Sequence, residues 1–179
     1  MSDFTKPKIE DKQWVDKYLS ATKRFGCEYT FGNIFMWSAV FKTRIAVIND
    51  MFITCTSDED AEVCRFCFPV GKGDLKGAVS QVISNVKEQG HSLEFFGLTA
   101  EDVIAMDKVL PDTFYYEPYR NGFDYIYLCD DLINLPGKRY HSKRNHISAF
   151  IKENNWSYEP INAGNIEECK KMNENWLKK

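Results

Sequence analysis

The chain has 179 residues, 44% of them hydrophobic and 15% aromatic, with a formal net charge of −3. That length gives one ordinary domain plus a short extension, and the aromatic content favours a well-formed core. The acidic balance argues against a chain coated throughout for nucleic acid, so any such contact has to come from a local basic patch. The longest apolar stretch, 34–41, is far shorter than the ~20 residues a membrane helix needs and is interrupted by Ser38. The N-terminal residues lack an apolar signal core, so the expected location is cytoplasmic, without stable membrane insertion.

In chain order, residues 8–22 read as a helix with Trp14, Val15 and Tyr18 on its apolar stripe and Asp11 in the first turn. The aromatic run from Cys27 to Trp37 reads as a turn entering a second, largely buried helix. Residues 44–48 and 51–56 read as a hairpin, because Asn49 and Asp50 tolerate the left-handed backbone of its turn. Residues 63–70 read as a third strand. Asp74 then starts a helix whose face is Leu75, Ala78, Val79, Val82, Ile83 and Val86, closed by Gly90. A strand at 93–98 follows, then a short helix capped by Thr99 with Glu101 and Asp102 in its first turn, stopping before Pro111. Strands are expected at 113–117, 124–128 and 156–160, with a turn at Asn121-Gly122. Helices are expected at 137–154 and 162–179. The order implies an α+β fold, a mixed and largely antiparallel sheet flanked by helices.

Six cysteines sit mostly among apolar neighbours and read as buried free thiols of a reducing compartment. Cys64 and Cys67 form a CxxC within a strand-like run, where residues three apart face opposite sides. No second CxxC or matched histidine pair accompanies it, so no metal site is expected. Gly71-Lys72-Gly73 before a helix has a phosphate-loop flavour, but matches no nucleotide fingerprint, and Asp74 would repel an anion. It reads as a strand-to-helix turn.

The chemistry-bearing stretch is 137–147. Lys138, Arg139, Lys143 and Arg144 cluster there with His141 and His146, a positive patch suited to phosphate or carboxylate. On a wheel of about 100° per residue, Ile147 and Ile151 fall within about 20° of Tyr140. Lys143 and Arg144 land on this apolar side, while Lys138, His141, Asn145 and Lys152 take the other. Cations there must either pair with carboxylates at the core edge or line a wet groove. His141 is conceivable as a general base because imidazole titrates near neutrality. His141 and His146 lie about 140° apart round a helix and cannot chelate one metal ion together.

Three blocks carry a family resemblance. They are Cys27-Glu28-Tyr29-Thr30-Phe31-Gly32-Asn33 through Trp37; Phe68-Pro69-Val70-Gly71-Lys72-Gly73-Asp74; and Asp130 to Leu135 running on through Gly137 to His146. Across nearly its whole length the chain resembles the bacterial proteins grouped with the phosphatidylglycerol lysyltransferase C-terminal domain. The resemblance implies tandem acetyltransferase-like (GNAT-like) folds. Residues 1–136 would form the first, 137–154 a basic connecting helix, and 155–179 the start of a second, truncated one. It further implies acyl or aminoacyl transfer, with aminoacyl-tRNA or acyl-CoA as donor and no resident cofactor. Lys138, Arg139, Lys143, Arg144 and Asn145 would then bind the donor along an interdomain cleft, with His141 the candidate catalytic residue. If 155–179 opens a second domain, this piece alone is expected to be inactive. Two other readings stay open: a module that binds tRNA, other RNA or an acidic ligand without catalysis, and a homodimer formed by swapping 155–179.

Overall fold

The computed structural model describes residues 4–22, 24–57 and 61–178. The chain divides into two compact units, Met1–Phe123 and Asp124–Lys179.

The first unit is a five-stranded sheet with helices on both faces. Strands β1 (Arg44–Ile48) and β2 (Met51–Cys55) form an antiparallel hairpin that pairs Ile48 with Met51. Asn49 and Asp50 turn it, with φ of 49° and 58°, the left-handed geometry that two-residue hairpin loops need. The far edge of β2 carries both β3 (Val63–Phe66) and β4 (Val70–Gly71). The pairing slips by one residue between Cys55↔Phe66 and Phe52↔Val70, which makes a bulge. Pro69 lies in that bulge, where its missing N–H breaks no ladder bond, and the single strand expected at 63–70 is therefore two.

The helices of this unit are α1 (Lys12–Leu19), α2 (Phe31–Met36), α3 (Ser38–Phe41), α4 (Leu75–Glu88), which follows β4, and α5 (Ala100–Val109). Helix α4 carries the chain to β5 (Ser92–Phe95), which pairs in parallel with β3, from Val63↔Ser92 to Phe66↔Phe95. The sheet is thus mixed, with its antiparallel pairs around β2.

Strand alternation divides the core. Ala46, Ile48, Met51, Ile53, Cys55, Cys64 and Phe66 meet Ala78, Val82 and Val86 of α4. Ile45, Phe52 and Val70 face the other way, onto Val15 and Leu19 of α1 and Phe31 and Ile34 of α2. β2 is buried along its whole length because helices cover it on both sides. Each fully buried Val or Ile contributes about 1.5–3 kcal/mol of apolar transfer, so α4 is held mainly by packing. Helix α5 adds a third cluster, with Met106 against Phe68 and Val79. Thr99 caps it: its hydroxyl accepts the Asp102 N–H at 3.3 Å, and the Asp102 carboxylate accepts the Thr99 N–H at 2.9 Å.

Cys55, Cys64 and Cys67 are buried, as expected of apolar thiols, but Cys27 and Cys129 are exposed and Cys169 is partly so. Cys64 packs beneath α4, whereas Cys67 falls outside that cluster and lines a cavity on the opposite face, as the strand geometry requires of residues three apart. The residues of Gly71-Lys72-Gly73 serve the turn. A Cβ on Gly73 would lie 2.0 Å from the Asn49 carbonyl oxygen, and one on Gly71 would lie 2.5 Å from that of Asp50. The loop is pressed against the β1–β2 hairpin.

The second unit holds α6 (Cys129–Asn134), α7 (His141–Glu153) and α8 (Ile166–Leu177). The strands expected at 113–117, 124–128 and 156–160 are not formed. These segments join no ladder among the described residues, and a short 3-10 turn, Arg120–Gly122, separates the first two. Alternating apolar residues mark a segment able to extend, but a strand exists only where a partner edge is supplied. No helix among the described residues is long and apolar enough to cross a membrane.

Candidate functional site

The basic stretch is built around one tyrosine. Helix α6 has Asp130 and Asp131 in its first turn, where the helix dipole favours negative charge. It ends at Leu135, a non-glycine residue with φ of 45°, followed by Pro136 and by Gly137 with φ of 69°. A 3-10 turn, Lys138–Tyr140, then leads into α7, so the single helix expected from 137 starts at 141. Tyr140 is 2% exposed and donates its hydroxyl to Asp131 Oδ2 at 3.2 Å, pinning this turn to α6.

Arg144 completes the staple. Its Nη1 donates to the carbonyl oxygens of Leu135 and, at 2.9 Å, of Gly137. Carbonyls at a helix end lack intrahelical partners, and a guanidinium offers enough donors to satisfy two at once. The wheel puts Lys143 and Arg144 on one side; Arg144 is partly buried and Lys143 is exposed, and the partners of Arg144 are main-chain oxygens, neither a carboxylate nor a groove.

Lys143 lies with Nζ 5.9 Å from the centre of the Tyr127 ring, at the outer limit of a cation–π contact. Arg139 lies over Tyr140, its Cζ 4.9 Å from the ring centre. Lys138, Arg139 and Lys143 are all exposed. Asn145 Nδ2 sits 3.2 Å from His141 Nε2, one turn apart on α7. The apolar side of the expected wheel is not a buried face: Ile147, Phe150 and Ile151 are each about half exposed, and no residue of α7 is buried. The site therefore brings together two solvent-facing cations on a stapled turn and a third, Lys143, in the first turn of α7, with His141 and Asn145 paired beside them. Such an arrangement can hold a polyanion by charge.

Sequence reading missed a second ionic centre, in the first unit. Arg24 grips Asp102 with both terminal nitrogens, Nη1 reaching Oδ2 at 2.7 Å and Nη2 engaging Oδ1. The guanidinium lies 4.4 Å from the Phe68 ring centre and 4.8 Å from that of Tyr29. Burial alone would raise the Asp102 pKa, but the hydrogen bonds from Arg24 and Thr99 outweigh it and hold the carboxyl below its ordinary range. The Thr99-to-Asp102 spacing was legible as a cap, but nothing local linked it to an arginine 78 residues earlier.

The fold is a mixed-sheet α+β unit followed by a helical unit that bears a cationic turn. The chain belongs to the phosphatidylglycerol lysyltransferase C-terminal family, whose model matches residues 20–179. Among solved structures it is similar to a conserved protein of unknown function from Bacteroides thetaiotaomicron VPI-5482, with 28% identity and a TM-score of 0.77. That match covers 98% of this chain and 59% of the Bacteroides chain, so the present chain spans little more than half the length of that relative. No curated protein matches.

Proposed function

We propose that the protein is a lysyltransferase-related acyl- or aminoacyl-transferase, and that the basic turn at 138–143 holds the phosphorylated part of its donor, a charged tRNA or an acyl-CoA. The observation that carries this reading is the exposure of Lys138 and Arg139 on a turn fixed by Tyr140 and Arg144, with Lys143 exposed beside them in the first turn of α7. Family membership across 20–179 supports the transferase class. In this reading the two units are parts of a GNAT-like tandem, and α7 is its connecting helix. Transfer works by positioning and charge stabilisation, with His141 available as a base and Asn145 orienting its ring. Arg144 acts as a positioning residue.

The test is binding of charged tRNA and of acyl-CoA to the protein across a salt series. Three phosphate contacts give a slope of log K against log salt of about −2 to −3. Lys138→Glu combined with Lys143→Glu should abolish the slope and most of the affinity while leaving the circular dichroism unchanged. Unaltered affinity would sink the reading. Binding without transfer to any acceptor would favour a non-catalytic RNA-binding module. Met172, Trp176 and Leu177 are exposed along α8 and favour one more reading, self-association through 155–179, which a concentration-independent monomer would remove.

A further inference from the structure

The first unit contains a cavity of about 500 Å³ on the sheet face that carries α2. Its floor follows from strand geometry. Thr54 and Thr56 share the side of β2 that bears Phe52, and on the neighbouring strand Arg65 and Cys67 share one side. The ladder continues past the named strands to hold these pairs side by side, with the Thr56 N–H donating to the Arg65 carbonyl at 2.8 Å and the Cys67 N–H to that of Thr54 at 3.2 Å. Ile34 of α2, Trp37, and Phe41 of α3 form an apolar wall over this floor. The Trp37 and Phe41 rings lie 5.7 Å apart, and the two residues are 47% and 56% exposed, so ring surface is left for an occupant to cover.

The charges around this cavity do not balance. Arg65 is the one cationic side chain among the described lining residues, and Glu94 accepts its Nε–H at 3.2 Å. Glu28, half-buried in the 3-10 turn Cys27–Tyr29, also lines the cavity. Its carboxylate accepts no hydrogen bond and enters no ion pair among the described residues. Burial is the main force that raises the Cys67 thiol, and the Glu28 charge adds to it, which sets the carboxylate within electrostatic reach of the cavity floor. The Thr54 hydroxyl offers nothing to an occupant, because it lies beneath the surface against the Cys67 thiol. What remains is an uncompensated negative charge beside aromatic surface. A carboxylate drawn partly out of water loses hydration that a cation restores, and the faces of aromatic rings attract cations as well.

We propose that this cavity binds an organic ammonium ion, with the charged nitrogen at Glu28 and the apolar body against Trp37 and Phe41. The volume sits within the range of small-molecule sites, and the aromatic wall with few polar groups is the usual composition of such pockets. An organic anion is rejected, because it would meet Glu28 and find Arg65 already engaged by Glu94. A free amino acid is rejected at its carboxylate for the same reason. This site lies in the first unit and rests on neither the basic turn nor the transferase reading.

The probes are 4-phenylbutylammonium, 4-phenylbutanol and 4-phenylbutanoate, which share one apolar body and differ in charge. They are titrated into the protein by calorimetry at low salt and neutral pH. The ammonium ion should bind with one-to-one saturation, the alcohol about tenfold more weakly because only its ring contacts remain, and the acid more weakly still. Glu28→Gln should bring the ammonium ion down to the level of the alcohol, with the alcohol and the thermal midpoint unchanged, since the carboxylate has no bond to lose. Trp37→Leu should weaken the ammonium ion and the alcohol alike. Arg65→Met leaves Glu94 unbalanced and should strengthen the ammonium ion a few-fold, the opposite of what an anion site would show. Absence of saturable binding, an acid that binds as well as the ammonium ion, or an ammonium affinity that Glu28→Gln or Trp37→Leu leaves unchanged would overturn the assignment, as would weaker ammonium binding by Arg65→Met.

Discussion

Replacing Asp102 by alanine removes the partner of Arg24 and one bond of the α5 cap together. The carboxylate holds both terminal nitrogens of Arg24 and the N–H of Thr99, so its loss removes one of the two bonds of the α5 capping box and leaves a guanidinium between Phe68 and Tyr29 without its anion. Breaking one side of a buried pair costs about 3–5 kcal/mol. The Arg24 side chain keeps 18% exposure, which moves the expectation to about 3, and the lost cap bond adds about 0.5–1 kcal/mol. The expected total is about 3–4 kcal/mol, a fall in melting midpoint of roughly 6–16 °C at 2–4 °C per kcal/mol. Urea unfolding measures the first figure and calorimetry the second. Arg24→Met should cost less, about 2 kcal/mol, because the carboxylate keeps its Thr99 bond. The double variant should cost at least about 1 kcal/mol less than the two singles together, since they remove the same interaction. A loss under about 1 kcal/mol for Asp102→Ala, or simple additivity, would refute the argument that the pair is coupled and buried.

The same residue predicts an acid limb. The folded carboxyl titrates below its unfolded value near 4, so its contribution is present above about pH 4 and is lost as pH falls through the folded pKa; the gap between Asp102→Ala and the parent should therefore narrow on acidification, as urea midpoints from pH 7 down to pH 2 would record. Gly73→Ala should destabilise by at least about 1 kcal/mol, because the added carbon meets the Asn49 carbonyl at 2.0 Å, and the hairpin it touches should lose amide-exchange protection first. Iodoacetamide at pH 8 should label Cys27 and Cys129 quickly while Cys55, Cys64 and Cys67 react only on unfolding, as peptide mass mapping would show. Between the unfolded thiol pKa near 8.5 and the folded value of about 12, ionisation favours the unfolded chain, so alkaline pH should cost stability that Cys67→Ser partly restores.

What the sequence made legible is what local rules govern. The β1–β2 hairpin lies where Asn49-Asp50 puts it, and α4 runs along the valine stripe. The Thr99 cap is likewise a rule confined to four residues. Failure begins where a partner decides. Residues 63–70 alternate like one strand, yet Pro69 and an extra residue split them across β2. Residues 124–128 alternate as well, but no edge receives them among the described residues, and Tyr125 and Ile126 are exposed. Helix α6 was missed although its acidic first turn and the proline after Leu135 both mark it, because the segment is only six residues long.

Charge clustering and the helical wheel mark the basic stretch, and the structure redistributes its roles. Of four clustered cations, Arg144 is consumed by the carbonyls of Leu135 and Gly137, a use that no helical wheel can reveal because it depends on how the preceding turn folds back. This separates two substitutions that look alike in sequence. Arg144→Glu should loosen the 135–140 turn, lower the melting midpoint and weaken donor binding only as a consequence. Lys143→Glu should weaken binding with the midpoint unchanged, since among the described residues Lys143 meets only the Tyr127 ring, its Nζ 5.9 Å from the ring centre. Arg144→Lys sharpens the contrast: an ammonium keeps the charge, but the lysine stem is one bond too short to bring its nitrogen to the place from which Nη1 meets both carbonyls. If Arg144→Lys binds tRNA like the parent and melts with it, the arginine acts as a charge after all, and the stapled-turn account of the site is wrong.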